Sequence, residues 1–339
     1  MDRAGHGGAL ARETRSGAGA GGPRDNVVRA RAPTAEVMGI FLRKPGFLLS
    51  RVDQIANAVY GHASAGGETL AQAEMLLAIA AGASSDQVGL ARACGVDTST
   101  TGVIVDNLQQ AGLVTRIQDR QDRRRSLPTL TQAGRARMPG VASAFARLQE
   151  DLLSGLDAPD RARLTDLLVR LARAQGEALA PRWDAGTSPF ARAPSLLFRR
   201  ALQISHAQFA ACVAPLTITL RQFSALVILH LHPGLSQVEY ARIYGLDPST
   251  CAIVLKKLAA RHLLAAERCT QDRRKTLYAT TAAGAEQVAA IQPVADRSER
   301  IMFAAVPADD VAWLLDMLRH IARRHSNLLR FPGSLPWGD

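Results

Sequence analysis

Apolar residues along this chain recur at helical spacing, and the whole pattern occurs twice. From Pro45, the side chains of Leu48, Leu49, Val52, Ile55, Ala56 and Val59 share one helical face, with Gly61 near the stop. The arrangement returns from Pro194 with Leu197, Phe198, Ala201, Ile204, Ala207 and Phe209. A further helix is predicted over residues 69–81 and 219–232, opened by Thr69 and Thr219, whose hydroxyls suit the free amides of a first turn. Pro233 and Gly234 end the later copy. Next comes a short helix (residues 85–94; 236–244), then Gly95 or Gly245, then Asp97 or Asp247 as N-cap of a longer helix reaching Ala111 or Arg261. A short helix, a turn containing glycine and a second helix form the helix-turn-helix pattern. Residues 114–130 and 264–280 then alternate polar and apolar positions around a charged cluster, predicting two short strands joined by a basic loop, a wing. Each half closes with a long helix from Thr131 or Thr281 and a last helix begun by Pro159 or Pro307. Broad stripes on the last helices (Leu164, Leu167, Leu168, Leu171; Val311, Leu314, Leu315, Leu318, Ile321) suit packing against partner helices.

The two halves keep register residue by residue. Gln121-Asp122-Arg123-Arg124-Arg125 faces Gln271-Asp272-Arg273-Arg274-Lys275, and Gly95-Val96-Asp97-Thr98-Ser99-Thr100 faces Gly245-Leu246-Asp247-Pro248-Ser249-Thr250. Without gaps from Thr69/Thr219 to Gly134/Gly284, roughly a third of positions are identical, so one unit occurs twice.

At 339 residues the chain holds two domains of ordinary size. Only 5% of its residues are aromatic and the apolar content is Ala, Leu and Val, which favours helices with short strands. The expected fold is therefore mainly α: two tandem winged helix-turn-helix domains. The expected segments are 1–37, rich in Gly, Ala and Arg and disordered; 38–175, the first unit; 176–193, a Pro- and Gly-broken linker; 194–330, the second unit; and 331–339, an irregular tail in which Trp337 has no assignable role. Met38, where folded-type sequence starts, is a candidate translation start. A formal charge of +11 points to an anionic partner without choosing which kind. Cys94, Cys212, Cys251 and Cys269 lie far apart, with no Cys-x-x-Cys pair or His at metal-ligand spacing, so reduced thiols and no metal are expected. No run spans a bilayer and no secretory segment opens the chain, which places the expected location in the cytoplasm. Motifs for a nucleophile elbow, a phosphate loop or a zinc protease are missing, so neither catalysis nor a cofactor is expected.

The order of elements, with Asp122-Arg123-Arg124 followed by Leu127 and Thr131 to Gly134, and Asp272-Arg273-Arg274 followed by Leu277 and Thr281 to Gly284, resembles the MarR family of bacterial winged-helix regulators. Members of that family are usually homodimers whose first and last helices interlock and set two winged helices on neighbouring major grooves. The resemblance implies that one chain here folds as its own pseudodimer, binds double-stranded DNA at a pseudo-palindromic site and represses transcription. It also implies that wing arginines enter the minor groove while the wing aspartate holds a neighbouring arginine by an ion pair. The candidates are Arg123, Arg124 and Arg125, and Arg273, Arg274 and Lys275, with Asp122 and Asp272 orienting them.

On the recognition helices, Thr98, Ser99 and Thr100, and Ser249 and Thr250, offer hydroxyls and amides to phosphates and base edges, and plain capping accounts for the same residues. Asp106-Asn107 in one copy is Lys256-Lys257 in the other, a change from net −1 to +2 that predicts tighter phosphate contact by the second half. Val103 and Ile253 are apolar, which suits thymine methyl contact or shape readout. By resemblance a small aromatic or phenolic acid binds between the dimer helices and the winged lobe. Arg51, Arg199, Arg200, His206 and Phe209 lie on the first helices, where they serve equally as surface cations or core rings. The alternative to a DNA regulator is a tandem winged-helix module whose wings hold an acidic protein.

Overall fold

The computed structural model describes residues 34–83, 86–118, 126–174, 183–186 and 188–334. The first half comprises α1 (Thr34–Phe41), α2 (Pro45–Ala63), α3 (Leu70–Ala80), α4 (Gln87–Cys94), α5 (Thr98–Gln110), β1 (Val114–Gln118), β2 (Ser126–Leu130), α6 (Gln132–Leu152) and α7 (Ala158–Ala174). The second comprises α8 (Pro194–Cys212), α9 (Leu220–Leu231), β3 (Leu235–Ser236), α10 (Gln237–Tyr244), α11 (Pro248–Ala260), β4 (Leu264–Arg268), β5 (Thr276–Thr280), α12 (Ala282–Met302) and α13 (Ala308–His325). The protein is mainly α, with two winged helix-turn-helix units in tandem.

Local chemistry starts these helices at matching places. Proline occupies the first turn of α2 and of α8, where a missing amide costs nothing. Thr69 and Gln72 form a reciprocal capping box on α3, and Thr219 and Gln222 repeat it on α9. Gly95 and Gly245 take left-handed backbone (φ 62° and 67°) between the two helices of each helix-turn-helix. The Thr-x-x-Gly that closes each wing has a steric basis. Thr131 and Thr281 cap α6 and α12 by accepting the amides of Gly134 and Gly284, at 3.0 Å in both. A Cβ on either glycine would lie 2.1 Å from the carbonyl oxygen of Leu113 or Leu263, so the helix starts in backbone contact with the entry to the wing.

Each wing is an antiparallel pair, with Val114 opposite Leu130 and Leu264 opposite Thr280. β3 adds a short third strand to the second wing, Leu235 facing Tyr278, where a helix start was expected. Gly234 turns the chain back with a positive φ of 81°, and its amide donates to the Tyr278 carbonyl at 2.9 Å. The stretch opposite it in the first half lies outside the described residues.

The core is shared. α2 packs on α8, and each is then covered by its own half's long helix and by the other half's last helix: α6 and α13 on α2, α12 and α7 on α8. Leu48, Leu49, Val52 and Ile55 of α2, and Leu197, Phe198, Ala201 and Ile204 of α8, are almost fully buried in this crossing. Burial of each large aliphatic or aromatic side chain contributes about 1.5–3 kcal/mol. At the rim, Lys44 reaches Asp296 across the halves (2.7 Å) and Arg163 of α7 reaches Asp310 of α13 (2.7 Å).

Several boundaries differ from expectation. α1 starts at Thr34, before Met38, because Val37, Met38 and Phe41 bury their side chains. The disorder expected for residues 1–33 lies outside the described residues. The linker is not a loose tether where it is described: Ser188 donates to the Ala93 carbonyl (2.7 Å), the Asp184 amide to that of Arg92 (3.3 Å), and Phe190 is buried. The tail similarly meets the second helix-turn-helix, with the Ser334 amide on the Ile243 carbonyl at 3.0 Å. Trp337 lies outside the described residues. No described helix is long and apolar enough to cross a membrane.

Because both halves depend on one core, Leu48→Ala and Leu197→Ala are each expected to cost about 2–5 kcal/mol. Urea titrations followed by far-ultraviolet circular dichroism and by tryptophan fluorescence check this, with the two signals changing together in each variant rather than one half melting first.

Candidate nucleic-acid interface

The recognition helices α5 and α11 bury one face and leave the opposite face open. Ile104, Val105 and Leu108 of α5, and Val254, Leu255 and Leu258 of α11, turn inward. Val103 and Ile253, at 59% and 57% exposure, are apolar side chains left outward at equivalent positions, beside exposed Asn107 in one helix and exposed Lys256 and Lys257 in the other. Six residues earlier the N-caps are built in detail. Asp97 accepts the Thr100 amide (2.7 Å), the Thr100 hydroxyl (2.6 Å) and the Ser99 hydroxyl. Asp247 accepts the Thr250 amide (2.9 Å) and the Ser249 hydroxyl. The hydroxyls expected to meet DNA therefore cap the helix in the free protein, while Thr98 remains at the exposed start of α5.

The charge contrast between the halves is smaller than the sequence suggests. Asp106 pairs with Arg116 of β1, which also donates to Gln109, so its negative charge is offset on the spot. The equivalent of Arg116 in the second wing is Ala266, and Lys256 and Lys257 have no carboxylate partner among the described residues. The second helix remains the more cationic of the two.

The second wing is described throughout. Arg273, Arg274 and Lys275 are exposed at its tip. Asp272 accepts the backbone amide of Arg274 (3.0 Å) in place of the expected ion pair with a guanidinium, so it orders the turn through the main chain. A guanidinium does brace this loop, but from β4: Arg268 donates to the Arg273 carbonyl at 2.7 Å. In the first wing, Asp122, Arg123, Arg124 and Arg125 lie outside the described residues.

The five residues expected to hold an acid separate into two groups. Arg51 is buried, and its guanidinium donates to the carbonyls of Tyr244, Gly245 (2.9 Å) and Phe331 (3.2 Å), tying α2 to the second helix-turn-helix and the tail. Burial pulls it down to about 10, which leaves it charged at neutral pH. Arg199 is engaged by Glu74 (2.6 Å) and the Cys94 carbonyl (2.9 Å), and buried Arg200 donates to Gln203 (3.0 Å). Arg51 and Arg199 are structural, because their terminal donors are engaged by protein oxygens before any ligand arrives, and Arg200 is buried with one donor on Gln203.

His206 and Phe209 do line a cavity. Phe41, Phe47, Phe223 and Tyr244 complete its aromatic walls, and Ser50, Ser205, Ser224 and Arg221 supply polar groups. It lies between α1 and α2 of the first half and α8, α9 and α12 of the second. Desolvation against the cavity, with a smaller push from the Arg221 cation, lowers His206 below its ordinary value although the residue as a whole is exposed, which favours the neutral ring at pH 7. Sequence reading missed Ser50, Arg221 and Ser224. The signal lay in the repeat itself, at the points where the copies exchange small for charged side chains.

The four cysteines are free, and burial pushes the thiols of Cys94 and Cys251 up to about 12, leaving them unreactive at neutral pH. No group of described residues has the ligands to hold a metal ion.

Family models described as MarR family match the chain twice, over residues 67–125 and 218–276. A repressor from Pseudomonas putida, the HTH-type transcriptional repressor NicR, is 28% identical over 131 residues, covering 39% of this chain and 83% of that protein. A putative transcriptional regulatory protein for the hcr operon of Thauera aromatica is 33% identical over 103 residues, covering 30% of this chain and 62% of that protein. Among solved structures, the PcaV transcriptional regulator from Streptomyces coelicolor in complex with its natural ligand is 30% identical, covering 40% of this chain and 94% of that one at a TM-score of 0.37. Each relative is therefore similar to between 30% and 40% of this chain.

The Asp97 cap carries a pH signature. Hydroxyls of Ser99 and Thr100, then the Thr100 amide, hold its carboxyl far below the usual carboxylate range. A depressed folded-state value gives stability that is present above the unfolded value, about 4, and is lost as pH falls through the folded one. Asp97→Ala is expected to cost about 1 kcal/mol at pH 7, held to that low figure because the group is exposed to solvent. Paired urea titrations at pH 7 and pH 3 should show the gap between wild type and variant narrowing in acid.

Proposed function

Because the chain belongs to the MarR family and carries that family's winged-helix unit twice, we propose that it represses transcription as a single-chain pseudodimer on duplex DNA. The observation that carries the reading is the pair of outward recognition helices, α5 and α11, held by one interlocked core. Two such helices related by an internal duplication fit two half-sites about one helical turn apart, roughly 34 Å. Arg273, Arg274 and Lys275 would contact the backbone or the adjoining minor groove, with Arg123, Arg124 and Arg125 in the same role in the first half. Ser99, Thr100, Ser249 and Thr250 would exchange part of their capping for phosphate contacts. Val103 and Ile253 favour methyl contact and shape readout over base hydrogen bonds. With Asp106 neutralised by Arg116, and Lys256 and Lys257 free of carboxylates among the described residues, the second half would bind phosphate more strongly and the half-sites would be unequal.

Release by a small aromatic acid completes the proposal. Support comes from the cavity between α8, α9 and α12 and the first helices of the other half, which combines aromatic walls with hydroxyls, a neutral histidine and an arginine. A ligand there touches the core on one side and the helix-turn-helix, through Tyr244 and Leu246, on the other. Differential binding to two positions of the recognition helix would then shift DNA affinity.

Selection of bound duplexes from a random pool tests the DNA reading. The expected product is an imperfect palindrome with half-sites about one turn apart. Replacing Lys256 and Lys257 by Ala should lower the slope of log affinity against log salt by about 2, one per lost phosphate contact, whereas Asn107→Ala should leave it almost unchanged. Failure to enrich any sequence would overturn the reading and turn attention to an acidic protein as partner.

A further inference from the structure

The internal repeat makes it possible to compare the ligand cavity with its own pseudo-symmetric counterpart. Pro45 and Pro194 set the register of α2 against α8, and the long-helix caps Thr131 and Thr281 set that of α6 against α12. In this register Ser50 corresponds to Arg199, Ser224 to Glu74, and Ala295 to Phe145. All three small residues line the cavity beside the second helix-turn-helix.

All three large residues sit in the equivalent place beside the first. Arg199 of α8 pairs with Glu74 of α3 at 2.6 Å, and its other terminal nitrogen donates to the Cys94 carbonyl at 2.9 Å. Glu74 is 1% exposed. Phe145 of α6 lies with its ring centroid 5.3 Å from that of Phe190, the linker residue that corresponds to Phe41. Two hydroxyls and a methyl have thus been exchanged for an ion pair and a ring, which occupy the space a ligand would need. Exchanges in the other direction occur at Ala71 and Ala73, which correspond to Arg221 and Phe223. They remove from the first half the rim cation and one aromatic wall that the second half has.

We propose that the chain takes one small aromatic carboxylate, in the second half only, and that the Arg199–Glu74 pair permanently closes the first. The inference rests on the effector part of the preceding reading and is independent of its DNA part. In the second half, Arg221 on α9 faces the carboxylate: it is exposed at the cavity rim, with no ion pair among the described residues. Phe47, Phe209 and Phe223 enclose the ring, and neutral His206 and Ser50 are placed for a ring hydroxyl. Binding a single acid then acts directly on one recognition helix of the two, so the dose response has no cooperativity between sites.

The test uses the full chain with salicylate as probe, by isothermal titration calorimetry and by crystal soaking. Wild type should bind one salicylate per chain, seen in the cavity against Arg221. Ser50→Arg combined with Ser224→Glu, which installs the first half's plug in the second, should abolish binding while the duplex affinity persists without response to salicylate. Arg221→Ala, at an exposed position that leaves the core intact, should weaken binding by at least about tenfold through loss of a charge-assisted contact. Two molecules per wild-type chain, density beside Arg199, or unchanged binding in Arg221→Ala would overturn the proposal. So would the absence of any binding to wild type, an outcome that leaves the duplex selection result standing.

Discussion

The crossing of α2 over α8 is the constraint on which the rest depends. Each helix is buried against the other half's elements as well as its own, so neither winged-helix lobe has a closed core without its partner. In a homodimer such an interface must be assembled from two chains. Here the linker makes it an intramolecular event, independent of concentration, and the described linker residues dock on the first half, Ser188 on the helix-turn-helix at Ala93 and Phe190 on Phe145 of α6. Arg51 adds a polar fastening to the apolar one. Its guanidinium bridges from α2 to the carbonyls that end α10, which would be costly to desolvate without those acceptors. The positions of the recognition helices are thereby set by the core and not by the wings.

Duplication inside one chain also removes the symmetry that identical subunits must obey. The two lobes have used this freedom in opposite ways at the same positions. One keeps Ser50 and Ser224 beside an aromatic cavity; the other places Arg199 and Glu74, paired at 2.6 Å, at the equivalent positions. A similar division occurs on the outer face, where Arg116 neutralises Asp106 in the first lobe and Lys256 and Lys257 stand without carboxylates among the described residues in the second. What was one unit's machinery is distributed between a lobe suited to respond and a lobe suited to hold position.

Much of the fold could be read from the residues because its signals are local. Thr69 with Gln72, Asp97 with Thr100, glycine between the short helices, and alternation across each wing depend on neighbours within a few residues, and each appears where the spacing put it. The repeat then supplied long-range information that a single copy lacks, since two surfaces of the same design with complementary stripes must pair with each other. Small departures, such as α1 beginning at Thr34 and the extra strand β3, arise from tertiary contacts: burial of Val37 in one case and pairing with Tyr278 in the other.

The chemistry of the charged side chains was not local, and there the sequence alone was a poor guide. Arg51 and Arg199 look like free cations on a helix, yet partners as distant along the chain as Tyr244 or Glu74 engage their donors. Asp272 resembles an ion-pair partner, but a backbone amide two residues away is the nearer donor. By itself, then, the sequence determined the element order, the duplication and the outward faces of the recognition helices, because periodicity and capping are written within a turn or two of each residue. Only the tertiary structure decided which polar groups are spent on the fold and which side chains gather around the cavity beside the second helix-turn-helix, because both depend on what the crossing of α2 and α8 brings alongside.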